Sequence, residues 1–182
     1  MTKTNNMLEK IDVKNLDIPL ERDVFSRSLI RELTGLLEEM IGLDGASGYI
    51  SVVGQRIGHE INDLYKSTLG VDILNKEQIS DVLIDLKSRI KGDFYVIEAD
   101  KNKIVMGNKE CPFGDKVNDR PSLCMMTSNV FGTIGADNNG YSKVVLDKTI
   151  AKGDSSCHVT VHLNETDEAK IADGKEYFKV DD

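Results

Sequence analysis

Three cysteines carry the clearest potential for chemistry in this sequence: Cys111, Cys124 and Cys157. Two of the three prolines, Pro112 and Pro121, lie in the same stretch of chain. In a reducing compartment, an odd number of cysteines is better explained by free thiols or metal ligands than by a disulfide framework. We therefore interpret the three cysteines as a three-thiolate site for a metal ion or an iron–sulfur cluster.

Each cysteine is expected on a different kind of element. Cys111 follows a strand and begins a loop in which Pro112 removes a backbone donor and fixes φ. Cys124 lies near the start of a helix that begins at Pro121, where the helix dipole favours a thiolate. Cys157 lies in a strand. A loop, a helix start and a strand can bring three thiolates to one point in a folded domain.

The identity of the cofactor stays open at this level. Zinc requires a fourth ligand, such as His, Asp, Glu or water, because structural zinc sites are closed tetrahedra. Three cysteines can also hold a four-iron cluster whose fourth iron is exposed, which suits a sensor. We prefer the iron–sulfur cluster and place zinc second. Two alternatives without metal are buried apolar cysteines and a disulfide redox switch.

Motifs of the common enzyme classes are absent from the sequence. It contains no Gly-x-Ser-x-Gly, no Gly-x-x-x-x-Gly-Lys-Ser/Thr and no His-Glu-x-x-His. A nucleophilic Cys111 or Cys124 with His158 as its base is an alternative, although the sequence cannot place these residues together. We therefore assign no catalytic residue. An enzyme remains the less favoured interpretation, in the form of a small cysteine-dependent hydrolase or reductase.

Composition excludes several classes of partner. The 23 Lys and Arg residues against 31 Asp and Glu residues give a net charge of −8, so a phosphate backbone would be repelled by most of the surface. The sequence has no apolar run long enough to cross a membrane and no secretory signal. We expect a cytoplasmic protein that binds neither nucleic acid nor membranes directly.

Apolar periodicity predicts three N-terminal helices, over residues 20–41, 46–69 and 76–91, after a mobile arm at 1–18. The second helix contains Gly54 and Gly58. Glycine costs about 1 kcal/mol in a helix interior, so the pair predicts close approach by another helix or by a ligand. We also expect this helix and the apolar residues of the first helix to support a homodimer.

Four strands are predicted after the helices, in two hairpins separated by a helix that runs from Pro121 to Asp137. The strands cover residues 94–98, 103–106, 143–147 and 156–163. In the last strand Cys157 alternates with His158, so the cysteine faces the core and the histidine faces the other side. The predicted fold class is α/β in the α+β sense: N-terminal helices packed on an antiparallel sheet of about four strands, with one inserted helix. Residues 19–163 form the domain, and an acidic tail covers 164–182.

Three motifs resemble the methanogen output domain family over roughly residues 20–163. They are Cys-Pro-Phe-Gly at 111–114, Pro-Ser-Leu-Cys-Met-Met-Thr-Ser-Asn-Val-Phe-Gly at 121–132 and Ile-Ala-Lys-Gly-Asp-Ser-Ser-Cys-His-Val at 150–159. The layout of elements is also similar to 4-vinyl-reductase-like domains and TRAPP-type trafficking subunits. These resemblances imply an α/β fold that binds small hydrophobic ligands, that holds zinc in some sensors and that often dimerises.

A local likeness bears on the metal. The spacing of the three cysteines is similar to the cluster-binding segment of winged-helix repressors that govern iron–sulfur assembly. This chain lacks the additional cysteine found in such repressors, and it lacks the winged helix. The resemblance therefore implies a cluster held by Cys111, Cys124 and Cys157, with any regulatory effect exerted through a protein partner.

The function that these observations predict is a cytosolic sensory or signal-output module. We expect a three-cysteine metal site, a small-ligand pocket, a homodimer and a protein signalling partner. The alternatives are the cysteine-dependent enzyme and a ligand-binding protein that holds no metal.

Overall fold

The computed structural model describes residues 13–180. Four α-helices and five β-strands make up the fold, with short 3-10 turns at Val13–Asn15, Gly114–Val117 and Ile150–Lys152. In chain order the elements are α1 (Arg22–Leu69), α2 (Lys76–Arg89), β1 (Phe94–Ala99), β2 (Lys103–Asn108), α3 (Pro121–Asn139), β3 (Tyr141–Lys148), β4 (Cys157–His162), α4 (Asp167–Ile171) and β5 (Lys175–Phe178). Residues 1–12 of the predicted arm lie outside the described residues.

The first two predicted helices are two helical segments that meet at a kink, and we label them together as α1. Gly42, which we expected to end the first helix, has φ 73° and ψ 167°, so the helical backbone is interrupted there as predicted. Glycine adopts this left-handed conformation without steric cost, so the chain changes direction and resumes the helix immediately. Ala46, four residues after the kink, is fully buried. The prediction of two helices that separate at Gly42 is therefore confirmed, and the second helix resumes directly after Gly42 rather than at residue 46.

The capping box predicted at the start of α2 is confirmed. The backbone N–H of Gln78 donates to Asn75 Oδ1 at 2.8 Å, and the backbone N–H of Asn75 donates to Gln78 Oε1 at 2.9 Å. Two of the N-terminal N–H groups around this helix start are thereby satisfied. The boundary of α2 is consequently well determined by its own sequence.

The sheet is antiparallel throughout, with the strand order β1-β2-β4-β3-β5. The predicted α+β class and the four predicted strands are confirmed, and β5 adds a fifth strand. It lies in the segment that the sequence suggested was a tail. Tyr177 of β5 is 4% exposed, and its hydroxyl lies 2.9 Å from Ser128 Oγ in α3. The 164–178 segment is therefore part of the folded body.

The three long helices, α1, α2 and α3, form two layers against the sheet. α2 and α3 contact the strands, and α1 lies along α3. Gly54 and Gly58 provide the close approach: a Cβ at Gly54 would lie 2.5 Å from Asn129 Cβ, and one at Gly58 would lie 2.8 Å from Thr133 Cβ. The predicted tight helix packing is confirmed, and it is made within the chain.

Two apolar clusters result from this arrangement. The main core lies between the sheet, α2 and the second half of α3, and it includes Leu83, Met106, Phe131 and Val161, all fully buried. The small core lies at the start of α3. It consists of Val117, Leu123 and Ala151, with Ile30, Cys111, Phe113, Cys124 and Ile150 packed against them.

Candidate functional site

The three cysteines line one small cavity of about 30 Å³. Cys111 comes from the loop after β2, Cys124 from the start of α3 and Cys157 from the first position of β4. All three are half-buried free thiols. The fold therefore brings the predicted site residues together, and we call this group the cysteine cluster.

Strand pairing and helix capping position the cluster. Asn108, the last residue of β2, pairs with Cys157, the first residue of β4. The chain therefore leaves the sheet beside Cys157 and turns back with Cys111 three residues later. α3 begins at Pro121, as predicted, so Cys124 lies at the end of its first turn. The position of each cysteine is thus set by the end of a strand or the start of a helix or strand close to it in sequence.

One sulfur of the cluster, that of Cys157, accepts hydrogen bonds from two neighbouring groups. Cys157 Sγ accepts hydrogen bonds from the backbone N–H of Ile150 at 3.5 Å and from Asn108 Nδ2 at 3.9 Å. Asn108 is 1% exposed, and its side-chain oxygen accepts from the N–H of Asp93 at 3.1 Å. Because the oxygen of this buried amide is engaged by Asp93, its NH2 group is directed toward the sulfur of Cys157.

Burial keeps the other two thiols protonated. The pKa of Cys124 is raised to about 12, mainly by burial and in smaller part by the neighbouring thiols of Cys157 and Cys111. The pKa of Cys111 is also raised, again mainly by burial. The advantage expected from the helix start is therefore outweighed by desolvation. A metal bound by these thiols would have to displace their protons.

Lys87 of α2 lies beside the cluster and is 4% exposed. Its Nζ donates to Thr127 Oγ1 at 2.8 Å and lies 5.4 Å and 5.1 Å from the ring centroids of Phe94 and Phe131. Burial lowers the pKa of Lys87 to about 8, and the three cysteines oppose this shift. Sequence reasoning missed this residue. The available signal was its position four residues after Leu83, within the apolar stripe of α2.

The cluster as described is a set of neighbouring thiols. Among residues 13–180, no group of three or more His, Cys, Asp or Glu side chains is arranged to hold a metal ion. The other polar residues that line the cavity are Asn108, Thr127 and Thr149. The metal, the iron–sulfur cluster and the fourth ligand therefore remain predictions.

His158 is directed away from the cluster. Its Nδ1 lies 2.8 Å from Asp147 Oδ2, and Thr160 also donates to that oxygen at 3.1 Å. These side chains share the sheet face opposite Cys157, as strand alternation predicts. The arrangement therefore does not bring the histidine to Cys111 or Cys124 as a base.

The first half of α1 holds the cysteine-bearing segment in place. Arg31 donates to the carbonyl oxygens of Lys116 and Asn118, in the loop that follows Cys111. Glu38 accepts from Arg120 at 3.2 Å and from the backbone N–H of Ser122 at 3.3 Å. The second contact caps the start of α3, the helix that carries Cys124.

Comparison with known proteins places this arrangement in a family. The family model described as methanogen output domain 1 matches residues 29–162, well over half of the chain. The chain belongs to the methanogen output domain 1 family. The resemblance seen in the sequence motifs is thereby confirmed for this output domain. None of the curated proteins matches the chain.

Two solved structures show that the output domain shares a wider fold. The phenol-responsive sensory domain of the transcription activator PoxR, with phenol, matches with a TM-score of 0.60 and 13% identity over 84% of this chain and 80% of that chain. The trafficking protein particle complex subunit 3 from Naegleria fowleri, covalently bound to palmitic acid, matches with a TM-score of 0.51 and 14% identity over 78% and 96%. Among the described residues, no helix is both long and apolar enough to cross a membrane.

Proposed function

We propose that this output domain is a sensory module in which a thiophilic metal ion binds at the cysteine cluster and sets the state of the domain. One observation supports the proposal above all others. Three thiols from three separate elements converge on one cavity, and Thr127, which also lines it, accepts a hydrogen bond from the buried ammonium group of Lys87. Thiolates are ligands for zinc and for iron–sulfur clusters.

The size of the cavity favours a single ion. About 30 Å³ accommodates one ion or one water molecule. A four-iron cluster requires the loop between β2 and α3 to move outward, so zinc becomes our preferred occupant, with the iron–sulfur cluster as the alternative. In either case the thiol side chains must draw together around the metal, with release of their protons.

The route of output follows from the contacts of α1. Any movement of the cysteine-bearing loop acts on Arg31, and any movement of the start of α3 acts on Glu38. Both side chains lie on the part of α1 that precedes the kink at Gly42. We infer that metal occupancy changes the position of this first half of α1, which is the surface that a protein partner reads.

The test is the metal content of protein purified without oxygen. We expect about one zinc per chain in colourless protein, or iron and labile sulfide in brown protein if the alternative holds. Each of Cys111→Ser, Cys124→Ser and Cys157→Ser should lose most of the metal, and double variants should be little worse, because a metal held by three thiolates needs all of them. Ser156→Ala, next to Cys157, is the control and should keep the metal.

Two results would reject this proposal. The first is wild-type protein that holds no metal after purification and takes up neither zinc nor iron with sulfide. The second is full metal retention by any one of the three serine variants, which would remove that cysteine from the site.

A second candidate function is the binding of a small apolar molecule between α1 and α2. A groove of about 370 Å³ is lined mainly by apolar side chains there, including Ile61, Leu64 and Leu86. Tyr65 supplies a polar group at its wall, with its hydroxyl donating to Asp85 at 2.6 Å. The PoxR sensory domain, which shares the fold, contains phenol. A phenol-dependent rise in melting temperature that Leu64→Gln abolishes would support this candidate.

We also propose that the output domain forms a homodimer through the first half of α1. Leu29, Leu33, Leu36 and Met40 are 48%, 55%, 53% and 71% exposed, and we call them the leucine stripe. Their spacing of four, three and four residues is that of a helix seam that pairs with another helix. The glycines that first suggested a dimer pack against α3 instead, so the proposal now depends on the leucine stripe alone.

A further inference from the structure

Within residues 13–180, the ammonium group of Lys87 is buried without a negatively charged partner. Its hydrogen bond goes to the neutral hydroxyl of Thr127, and two aromatic rings cover it. Among residues 13–180, no Asp or Glu carboxylate forms an ion pair with it. A lysine that is 96% removed from solvent normally has such a partner, because an unpaired buried charge strongly opposes folding.

The groups of opposite charge that can reach Lys87 belong to the cysteine cluster. Lys87 donates to Thr127 and lies over the ring of Phe94, and both of these residues line the cavity of the cysteine cluster. The three cysteines approach this cavity from a loop, a helix and a strand. Aromatic faces attract a cation, but each contributes less than a full counter-charge does. The negative charge that complements Lys87 is therefore to be found on sulfur.

We propose that Lys87 is the counter-ion of the cysteine cluster and that its ammonium group compensates a single negative charge which the cluster carries in its functional form. This inference rests on the proposed function, because a divalent ion bound by three thiolates has one net negative charge. It also specifies the fourth ligand. A water molecule keeps the net charge at one, whereas a carboxylate or a fourth thiolate would leave a second charge without compensation. Lys87 is a positioning residue in this scheme and touches no metal.

The experiment compares two substitutions of Lys87 with a matched control. Lys87→Met keeps the length of the side chain and removes the charge, and Lys87→Arg keeps the charge. The control is Lys175→Met, because the Lys175 amine donates to Asn129 at 2.9 Å and the lowered pKa of Lys175 is due to burial alone. The zinc dissociation constant is measured by competition with a chromophoric chelator. Melting temperature is measured with and without zinc.

Two changes of opposite sign are expected for Lys87→Met. Its zinc affinity should fall about tenfold or more, since a buried opposite charge nearby is lost. Its metal-free form should melt higher than the metal-free wild type, by about 2–4 °C or more, since the unpaired charge is gone. Lys87→Arg and Lys175→Met should bind zinc with affinity close to that of the wild type.

The inference is overturned if Lys87→Met binds zinc as the wild type does. It is also overturned if the substitution lowers the melting temperature equally with and without zinc, since that is what lost packing alone would do. If wild-type protein binds neither zinc nor iron with sulfide, the proposed function fails, and the ultraviolet absorbance of thiolate in the metal-free proteins decides this inference separately. More thiolate in the wild type and Lys87→Arg than in Lys87→Met supports the counter-ion role, and equal thiolate in all three overturns it.

Discussion

The main core and the small core lie at opposite ends of α3 and are built from different kinds of residue. The main core unites side chains from α2, α3 and four strands, and fully buried apolar residues such as Phe131 and Ile134 make up its centre. The small core has three buried residues, with two of the cysteines packed at its edge. Its surroundings are held by the polar contacts of Arg31 and Glu38.

This difference separates stability from function within one domain. A large apolar core supplies most of the free energy of folding, because it removes the most apolar surface from water. A small cluster held by hydrogen bonds opens at lower cost, and such regions are where binding and switching occur. The loop and the helix start that carry Cys111 and Cys124 thus lie where the chain can rearrange while the sheet and α2 stay intact.

The largest expected effect is on global stability, from Phe131→Ala. Phe131 is fully buried and packs edge to face on Phe94, with ring centroids 5.7 Å apart. Removal of a buried aromatic ring should lower the free energy of unfolding by about 3–5 kcal/mol. Leu123→Ala in the small core should cost about 2 kcal/mol, because few buried neighbours surround the cavity it leaves. Urea titration of both variants measures the difference, and an equal or larger loss for Leu123→Ala would contradict the contrast between the two cores.

The free energy of unfolding of the metal-free protein is also expected to depend on pH, through the buried ammonium group of Lys87. Its pKa is about 8 in the folded protein and 10.5 in the unfolded chain. Below pH 8 both states are protonated, so the metal-free fold carries the full cost of the buried charge. Between pH 8 and 10.5 the folded state loses this proton first, so unfolding becomes relatively harder. The wild type should therefore gain up to about 3 kcal/mol relative to Lys87→Met across this range.

Urea titrations of metal-free wild type and Lys87→Met at several pH values measure this gain. The thiols of the cysteine cluster are present in both proteins, so the difference between the two isolates the contribution of Lys87. A stability gap that stays constant from pH 8 to pH 10.5 would show that Lys87 does not lose its proton in the folded state.

The fold was predictable wherever the relevant signal is local. The capping box at Asn75, the helix start at Pro121 and the alternation that turns Cys157 toward the core all depend on residues close in sequence, and all are confirmed. Membership in the output-domain family was predictable from the cysteine motifs. The convergence of the three cysteines could be predicted from the order of the loop, helix and strand that carry them.

What the sequence could not reveal depends on contacts between distant segments. The strand β5 has only four residues and a single buried side chain, Tyr177, so it shows little periodicity. Lys87 resembles any polar helix residue until α3 and β1 cover it, and only the folded arrangement shows that no carboxylate of residues 13–180 pairs with it.

A smaller effect is expected where α1 holds the start of α3. Glu38→Gln removes the charge that pairs with Arg120 and weakens the acceptor for the N–H of Ser122, and the Glu38 side chain is only 15% exposed. The loss should be about 1–2 kcal/mol, with faster amide hydrogen exchange confined to residues 111–124. Glu32→Gln is the control, because Glu32 is exposed and makes no hydrogen bond or ion pair with the described residues. Faster exchange spread evenly over the main core would argue against a separable small core.

The smallest effect on folding, and the clearest on assembly, is expected at the leucine stripe. Leu33 and Leu36 face solvent in the single chain, so their joint replacement by Gln should change the free energy of unfolding by less than about 0.5 kcal/mol per site. The same change should abolish pairing, since polar side chains at both seam positions remove the apolar contact that joins two helices. Light scattering should report a mass near twice 20.2 kDa for the wild type and a mass near 20.2 kDa for the double variant. Leu64→Gln, at an exposed apolar position in the second half of α1, is the control and should leave the dimer intact. If Leu64→Gln dissociates the dimer and the double variant does not, the interface lies on the second half of α1. It would then lie away from the segment that contacts the cysteine-bearing loop.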